Sequence, residues 1–348
     1  MPPHQIFGAG GIGTTAKSFT YTWDTPEKVS ELLNLLQTLN ITELDSAAAY
    51  PPGNPENTET LLGQARAVQK GFIVDSKIQA YPLDVTHLND EGIEASTART
   101  LELLGVDKVR IMYVHAPEPK TPVEETAAAF DRQFREGKFE KLGLCNYDAA
   151  GLAEYVAACE KHGFIKPSVY QGCYNALYRK SEDELVPFLR KHGMKYYVYS
   201  PLAGGFLTGK VTAAIDSGDE SALHRTRWRG ESTMDAYAQG FDKPALHDGI
   251  RKLKKVCEAN GGISLTEVSM RWLMHHSVLG EGDGIIFGAK TLAQVEANVA
   301  EARNGPLEGE VLAAINGLWD DVKGAFGVGS GGSGKEGEQD KEEARVKI

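Results

Sequence analysis

Four side chains that could act together on a carbonyl group follow three successive strand-like runs of the sequence. Asp45 and Tyr50 come after the first run, Lys77 after the second and His115 after the third. A tyrosine can donate a proton, a nearby lysine can lower its pKa, and an aspartate can hold that lysine charged. The imidazole can hydrogen-bond the carbonyl oxygen and orient it. This combination predicts metal-free carbonyl reduction, with Tyr50 as the proton donor.

Each member of this set is a weak signal by itself. An Asp-x4-Tyr pair is usually incidental, a histidine at a strand end is more often structural, and Lys77 could be an ordinary surface lysine. Their shared position at the exits of consecutive strands favours the catalytic interpretation over coincidence.

The composition restricts the class of protein. The chain has 348 residues, of which 41% are hydrophobic and 24% charged, as in a soluble globular protein with one large α/β domain or two ordinary ones. A net charge of −11 argues against nucleic acid as a partner. No apolar stretch approaches the roughly 20 residues that span a bilayer. We therefore expect a small-molecule partner and no membrane, and the sequence leaves a homo-oligomer open.

The cysteines indicate a reducing compartment. Four are present, at positions 145, 159, 173 and 257, with no C-x-x-C pair and no spacing typical of zinc ligands. The first residues also lack the charged and apolar regions of a signal peptide. A cytoplasmic protein without a metal site is the expectation.

Strand-like and helix-like segments alternate along most of the chain. The predicted strands are residues 5–10, 42–46, 72–78, 109–115, 141–145, 168–172, 195–200 and 284–288. Eight βα units most economically form a (β/α)₈ TIM barrel, whose reactive groups lie at the carboxyl ends of the strands. A doubly wound sheet is the alternative.

Residues 201–283 are too many for a simple crossover, so we expect a long β7–β8 connecting loop that includes helices at 244–260 and 264–276. Capping signals predict helix starts at Thr25-Pro26 and after Thr121, Ser181 and Ser264. The predicted barrel domain covers residues 1–326. Residues 327–348 are Gly-Ser-rich and then charged, which predicts a disordered tail.

A glycine-rich motif near the amino terminus has the spacing of a dinucleotide fingerprint. Residues 8–13 read G-x-G-x-x-G, but the fingerprint requires a helix to begin at once, and residues 14–23 are rich in β-branched and aromatic types. We expect these glycines instead to let a flat ligand lie close to the backbone. No tyrosine has a lysine four residues later, and no Cys/His zinc constellation is present, which disfavours two other routes to nicotinamide chemistry.

Residues 44–50, Leu-Asp-Ser-Ala-Ala-Ala-Tyr, resemble the D-x-A-x-x-Y signature of aldo-keto reductases. The resemblance continues in order over about 300 residues, through the segments 59–63, 75–78, 113–117, 143–147, 170–175, 199–205 and 288–290. Segments 121–126 and 205–210 are similar to the aflatoxin-aldehyde-reductase branch and its fungal relatives.

The resemblance implies a catalytic tetrad of Asp45, Tyr50, Lys77 and His115. It also implies an NADPH site, for which the matching positions are Cys145, Asn146, Gln171, Tyr199, Ser200, Leu202, Gly204, Lys210, Arg227, Gly288, Lys290, Gln294 and Asn298. Cys145 stands where the family usually carries serine. A lysine at 290 favours NADPH over NADH by pairing with the 2′-phosphate.

For the substrate, the resemblance implies contacts from His115 and Trp228, with Tyr21 or Trp23 on the loop after the first strand. The arginine with which the branch could bind an acidic substrate is missing here, since its position falls near Gly240. Arg229 stands where the branch carries an aromatic residue and could take over this contact, and the sequence leaves both readings open. The expected activity is NADPH-dependent reduction of an aldehyde or ketone. Two alternatives stay open, namely a dedicated carbonyl reductase of secondary metabolism and a non-catalytic NADPH-sensing protein on the same scaffold.

Overall fold

Eight parallel strands form a closed barrel in chain order. The computed structural model describes residues 1–14, 22–80, 87–224, 226–229 and 235–327. The strands are β1 (His4–Gly8), β2 (Glu43–Asp45), β3 (Ile73–Lys77), β4 (Val109–Val114), β5 (Phe139–Cys145), β6 (Pro167–Cys173), β7 (Lys195–Tyr199) and β8 (Gly284–Phe287). Each predicted strand is present, with its ends within two residues of the prediction. The (β/α)₈ barrel is therefore confirmed and the doubly wound sheet was wrong.

Helices alternate with the strands along the described chain. They are α1 (Pro26–Thr38), α2 (Asn57–Gln64), α3 (Asp90–Leu104), α4 (Val123–Arg135), α5 (Ala149–His162), α6 (Leu185–Lys191), α7 (Lys210–Ser217), α8 (Asp235–Phe241), α9 (Pro244–Ala259), α10 (Leu265–His275), α11 (Leu292–Arg303) and α12 (Gly309–Val322). The long β7–β8 connection thus contains α7 to α10, including the two helices predicted there. Across the described ranges, no helix is long and apolar enough to cross a membrane.

Two of the four predicted helix starts are correct. Thr25 and Ser264 are N-caps, and their side chains accept hydrogen bonds from the backbone nitrogens of Lys28 and Glu267. The capping box at Thr121 was wrong, because α4 starts one residue later and the Thr121 hydroxyl bonds Glu118 instead. The box at Ser181 was also wrong, since residues 180–182 form a separate 3₁₀ turn before α6.

The described residues pack as two compact units, and the barrel domain over 1–326 stays a prediction. The first unit contains all eight strands and comprises Met1–Gly172, Ser181–Tyr199 and Val278–Val299. The second comprises Cys173–Lys180, Ser200–Ser277 and the chain from Ala300 onward. The predicted tail lies outside the described residues, apart from Gly327, as does Tyr21.

The barrel core is a cluster of buried apolar and aromatic side chains from five strands: Ile6, Ile111, Tyr113, Val169, Tyr197 and Ile286. Alternate residues of a strand point to opposite faces. On β3 this places Asp75 and Lys77 on one face and Ser76 on the other, and all three are buried. The same strand therefore directs Asp75 and Lys77 to one face, and on the other face Ser76 contacts Glu59 of α2.

The glycine-rich motif does not form a dinucleotide fingerprint. A short 3₁₀ turn, Ala9–Gly11, follows β1, and no α-helix begins within residues 9–14. A Cβ at Gly10 would lie 3.4 Å from the Tyr50 ring, so the backbone of this glycine lies next to the tyrosine.

A glycine in α2 sets the distance between α2 and α3. A Cβ at Gly63 would lie 1.9 Å from the carbonyl oxygen of Leu103, whereas one at Gly317 in α12 would meet nothing within 4 Å. We expect Gly63→Ala to lower the free energy of unfolding by about 2 to 3 kcal/mol, because backbone cannot yield as a side chain can. The matched Gly317→Ala should raise it by up to about 1 kcal/mol, since alanine is the better helix former. Urea unfolding monitored by circular dichroism measures both, and equal effects would contradict this packing.

Candidate active site

A fully buried lysine lies at the carboxyl end of the barrel strands. The Lys77 ammonium donates to both carboxylate oxygens of Asp45, at 2.8 and 2.7 Å, and to the carbonyl oxygen of Ser46 at 2.8 Å. Its side chain has no exposed surface. An ammonium has three donors, so these bonds use all of them. The charge is stable here because it is both paired and hydrogen-bonded.

Tyr50 and His115 lie beside this ion pair. The Lys77 nitrogen is 5.0 Å from the centroid of the Tyr50 ring. The Tyr50 and His115 rings meet edge to face, with centroids 5.6 Å apart and an interplanar angle of 85°. The structure therefore brings together all four residues predicted from the strand exits, including Asp45.

His115 is held in its neutral form. Burial lowers the pKa of its imidazole well below 6.5, and the positive charge of Lys77 lowers it further. A neutral imidazole carries one N–H donor. At physiological pH it can therefore hydrogen-bond a carbonyl oxygen without adding a second cation beside Lys77.

Residues from the next three strands adjoin the tetrad. Asn146, in the left-handed region with φ 63°, donates to the His115 carbonyl oxygen at 3.0 Å. The hydroxyl of Tyr199 donates to Asn146 Oδ1 at 2.8 Å. These bonds fix the Asn146 amide and the Tyr199 ring, which is half-buried at the end of β7.

Gln171 and Cys145 are also close to the tetrad. The Gln171 amide nitrogen donates to Asp45 Oδ1 at 2.7 Å, and its oxygen is 3.8 Å from the Cys145 sulfur. Burial raises the pKa of the Cys145 thiol to about 12, so it remains protonated and can act only as a weak donor.

The predicted residues after β8 lie together at the start of α11. Asn298 Nδ2 is 3.5 Å from the Gly288 carbonyl oxygen, and the Lys290 backbone nitrogen donates to Gln294 Oε1 at 2.8 Å. A Cβ at Gly288 would meet nothing within 4 Å, so the backbone there is open to a ligand.

Comparison with known sequences identifies the family. Residues 6–320 match the sequence model described as the Aldo/keto reductase family. The chain belongs to this family. It is 39% identical over 285 residues to the human protein named aflatoxin B1 aldehyde reductase member 2, covering 80% of this chain and 78% of that one. It is 32% identical over 343 residues to the aldo-keto reductase pigE of Monascus ruber, covering 92% and 95%. The predicted relationship to the aflatoxin-aldehyde-reductase branch and fungal enzymes is confirmed.

In the second unit of this aldo-keto reductase, three predicted cofactor residues surround Tyr237. The hydroxyls of Ser200 and Tyr237 are 2.5 Å apart, and the Arg227 guanidinium lies 4.5 Å from the Tyr237 ring centroid. Gly204 has φ 65°, and a Cβ there would lie 2.4 Å from the same ring. The two other predicted residues of this unit lie beside the turn Ala203–Thr208, with Leu202 at its N-cap and Lys210 as the first residue of α7.

The predicted substrate residues Trp228 and Arg229 are engaged in internal contacts. Trp228 is 5% exposed, and its indole nitrogen donates to the Gly204 carbonyl oxygen at 2.9 Å. The Arg229 guanidinium pairs with both Glu220 and Asp242. Two carboxylates already balance its charge, so the structure does not support it as the ligand of an acidic substrate.

Trp23, expected on the substrate loop, is a core residue. It is 3% exposed, and its ring meets that of Phe7 edge to face, with centroids 5.8 Å apart. The aromatic character of the segment therefore reflects packing at this position.

Sequence reasoning missed two contributors near the tetrad. The carbonyl oxygen of Ser46 binds Lys77, and a backbone group gives no signal in the residue types. Glu59 on α2 is fully buried and accepts hydrogen bonds from Ser76 at 2.5 Å and Thr100 at 3.2 Å. Glu59 is the first residue of the segment 59–63 that carries part of the resemblance, but the sequence does not show that it is buried.

The Glu59 carboxyl makes stability depend on pH. Burial raises its pKa from 4.5 to about 7, against the opposing effect of the two hydroxyl donors. The folded protein thus keeps a proton that the unfolded chain releases above pH 4.5, so this group's contribution to stability falls as pH rises from about 4.5 to about 7.

Glu59→Gln should remove this dependence. We expect the variant to be more stable than the parent by about 2 to 3 kcal/mol above pH 7 and nearly equal to it below pH 4.5. Urea unfolding across this range measures the difference. The same substitution at the exposed Glu154 should leave the parent's profile unchanged. A Glu59→Gln profile parallel to the parent's would show that the buried carboxyl is not the cause.

Proposed function

We propose that this aldo-keto reductase reduces an aldehyde or ketone to an alcohol with NADPH, and that Tyr50 protonates the carbonyl oxygen. The observation that carries the proposal is the desolvated Lys77–Asp45 ion pair, whose ammonium lies 5.0 Å from the Tyr50 ring. The family supports carbonyl reduction and uses nicotinamide cofactors generally. The choice of NADPH and the role of tyrosine are our proposals.

Each residue of the tetrad has a separate part. The neutral His115 imidazole donates a hydrogen bond to the carbonyl oxygen and orients it toward Tyr50. Tyr50 then transfers its proton to that oxygen, and Lys77 stabilises the phenolate that results. Asp45 keeps the ammonium charged and fixed in place. The hydride for the carbonyl carbon would come from a reduced nicotinamide when one is bound.

The chain's polar groups fit a nicotinamide cofactor. The amides of Asn146 and Gln171 each retain a donor and an acceptor beyond their internal bonds, which suits a carboxamide. The half-buried Tyr199 ring offers a flat surface beside them. Lys290 supplies a positive charge for the 2′-phosphate, which supports NADPH over NADH.

The two named relatives support an aldehyde or ketone substrate without identifying it. One is named as a reductase of aflatoxin B1 aldehyde and the other as an aldo-keto reductase. The neutralised Arg229 favours carbonyls without an acidic group. A cytoplasmic location, absence of nucleic-acid partners and a homo-oligomer remain predictions.

The direct test is turnover of NADPH, and separately of NADH, with 4-nitrobenzaldehyde and with a dialdehyde. Tyr50→Phe should lower kcat by about 10³-fold, because it removes the general acid, while NADPH binding measured by fluorescence stays nearly unchanged. The control is Tyr155→Phe, which deletes a buried hydroxyl in α5 and should retain activity.

Retained turnover in Tyr50→Phe would overturn the proposed mechanism. Tight NADPH binding by the parent without turnover on either substrate would instead favour a cofactor-sensing protein.

A further inference from the structure

The Gln171 amide makes a hydrogen bond that cofactor binding alone does not require. Its nitrogen donates to Asp45 Oδ1 at 2.7 Å, and the side chain is 2% exposed. A carboxylate can only accept, so the amide nitrogen has to face Asp45. The amide oxygen then faces the Cys145 thiol, which is a donor. These two partners determine which end of the amide is the nitrogen and which is the oxygen.

This bond spans the barrel. Asp45 ends β2 and Gln171 lies in β6, and these strands stand opposite each other in a closed barrel of eight in chain order. The carboxylate is therefore held from two directions, by Lys77 of the adjacent strand β3 and by Gln171 from the far wall. A side chain fixed at both oxygens cannot rotate freely.

We propose that Gln171 is a positioning residue for the Asp45–Lys77 ion pair, which it holds in the orientation that presents the Lys77 charge to Tyr50. The proposal rests on the proposed function, because it gives Gln171 a part in proton donation by Tyr50. In this role Gln171 influences Tyr50 only through Asp45 and Lys77.

The position of Lys77 follows from that of Asp45. Two of the three ammonium donors go to Asp45 and the third goes to the Ser46 carbonyl, so a rotated carboxylate moves the ammonium with it. The charge acts on Tyr50 over 5.0 Å to the ring centroid, and because a Coulomb interaction is stronger in a desolvated site, a given change in this distance alters its energy more than it would in water.

The positioning role is compatible with cofactor binding. One N–H and one lone pair of the Gln171 amide remain after the bonds to Asp45 and Cys145. The same side chain can therefore contact a nicotinamide carboxamide while it holds the ion pair. The Gln171 amide would thereby connect the bound carboxamide with the ion pair that acts on Tyr50.

Loss of the amide donor should make Tyr50 harder to ionise. The Asp45 carboxylate would then accept one fewer hydrogen bond, so less of its negative charge would be compensated. A less compensated carboxylate disfavours a second negative charge on the Tyr50 phenol. The other titratable groups that interact with this pair stay in place in such a variant: Asp75, Tyr113, His115 and Cys145, with Glu59 behind β3. A change in Tyr50 ionisation can thus be assigned to the missing donor.

The test is a tyrosinate titration of the full chain without cofactor. Absorbance in the near ultraviolet is recorded against pH, and the same curve for the protein carrying Tyr50→Phe is subtracted, which isolates Tyr50 from the other tyrosines. Gln171→Met, similar in size but without a donor, should raise the Tyr50 midpoint by about one pH unit. Gln171→Asn, one methylene too short to make the bond, should shift it in the same direction and serves if the methionine variant does not fold.

The matched control is Gln133→Met, the same substitution at a buried glutamine of α4, which leaves the bond from Gln171 to Asp45 in place. Its Tyr50 midpoint should equal that of the parent. An unmoved midpoint in folded Gln171→Met, with only the KM for NADPH raised, would overturn the proposal and leave Gln171 as a cofactor ligand alone.

The titration requires no turnover, so it separates this proposal from the proposed function. A shifted midpoint in a protein that reduces no carbonyl would support the role of Gln171 and contradict the reductase. An unmoved midpoint in an active reductase would contradict the role of Gln171 alone.

Discussion

The buried positive charge of Lys77 is the constraint on which the rest of the site depends. Removing an ammonium from water costs several kcal/mol, so it is tolerated only where carboxylate and carbonyl oxygens meet all of its donors. Asp45 and Ser46 provide those oxygens at the end of β2, next to the strand that carries the lysine. The barrel supplies this geometry because parallel strands in register end at the same edge. The charge is then free of competing solvent and can act on Tyr50.

Besides the Lys77–Asp45 pair, the same unit contains a cluster of charged side chains centred on Arg110. Arg110 pairs with Asp75, two residues before Lys77, and with Glu43. Burial raises the pKa of Asp75 to about 6 and the charge of Asp45 adds to this, although Arg110 opposes both. For Glu43 burial is outweighed by His4 and Arg110, and its pKa falls to about 2. The two clusters share β2 and β3, so the site depends on charges beyond the tetrad.

The sequence was sufficient to predict the strands, and to predict that Asp45, Tyr50, Lys77 and His115 lie together, because both follow local rules. Continuous apolar runs mark strands buried on both faces, and a polar residue that ends such a run stands out. The burial of Glu59, the bond from Gln171 to Asp45 and the pairing of Arg229 were not predictable in this way. Each depends on a partner at least 9 residues away, and in the case of Gln171 on one 126 residues away, so only the closed fold reveals it. The wrong capping boxes failed for a related reason, since Thr121 found a better partner in Glu118.

In our proposal, the desolvated Lys77 charge makes Tyr50 a proton donor suited to neutral pH. The most direct measurement compares the Tyr50 tyrosinate midpoint of the parent with that of the double variant Lys77→Met and Asp45→Asn, which removes both charges and leaves neither buried alone. We expect the parent's Tyr50 to ionise clearly below the ordinary value of about 10, and the double variant's to ionise at or above it. Equal midpoints in the two folded proteins would show that the Lys77–Asp45 pair does not control the ionisation of Tyr50.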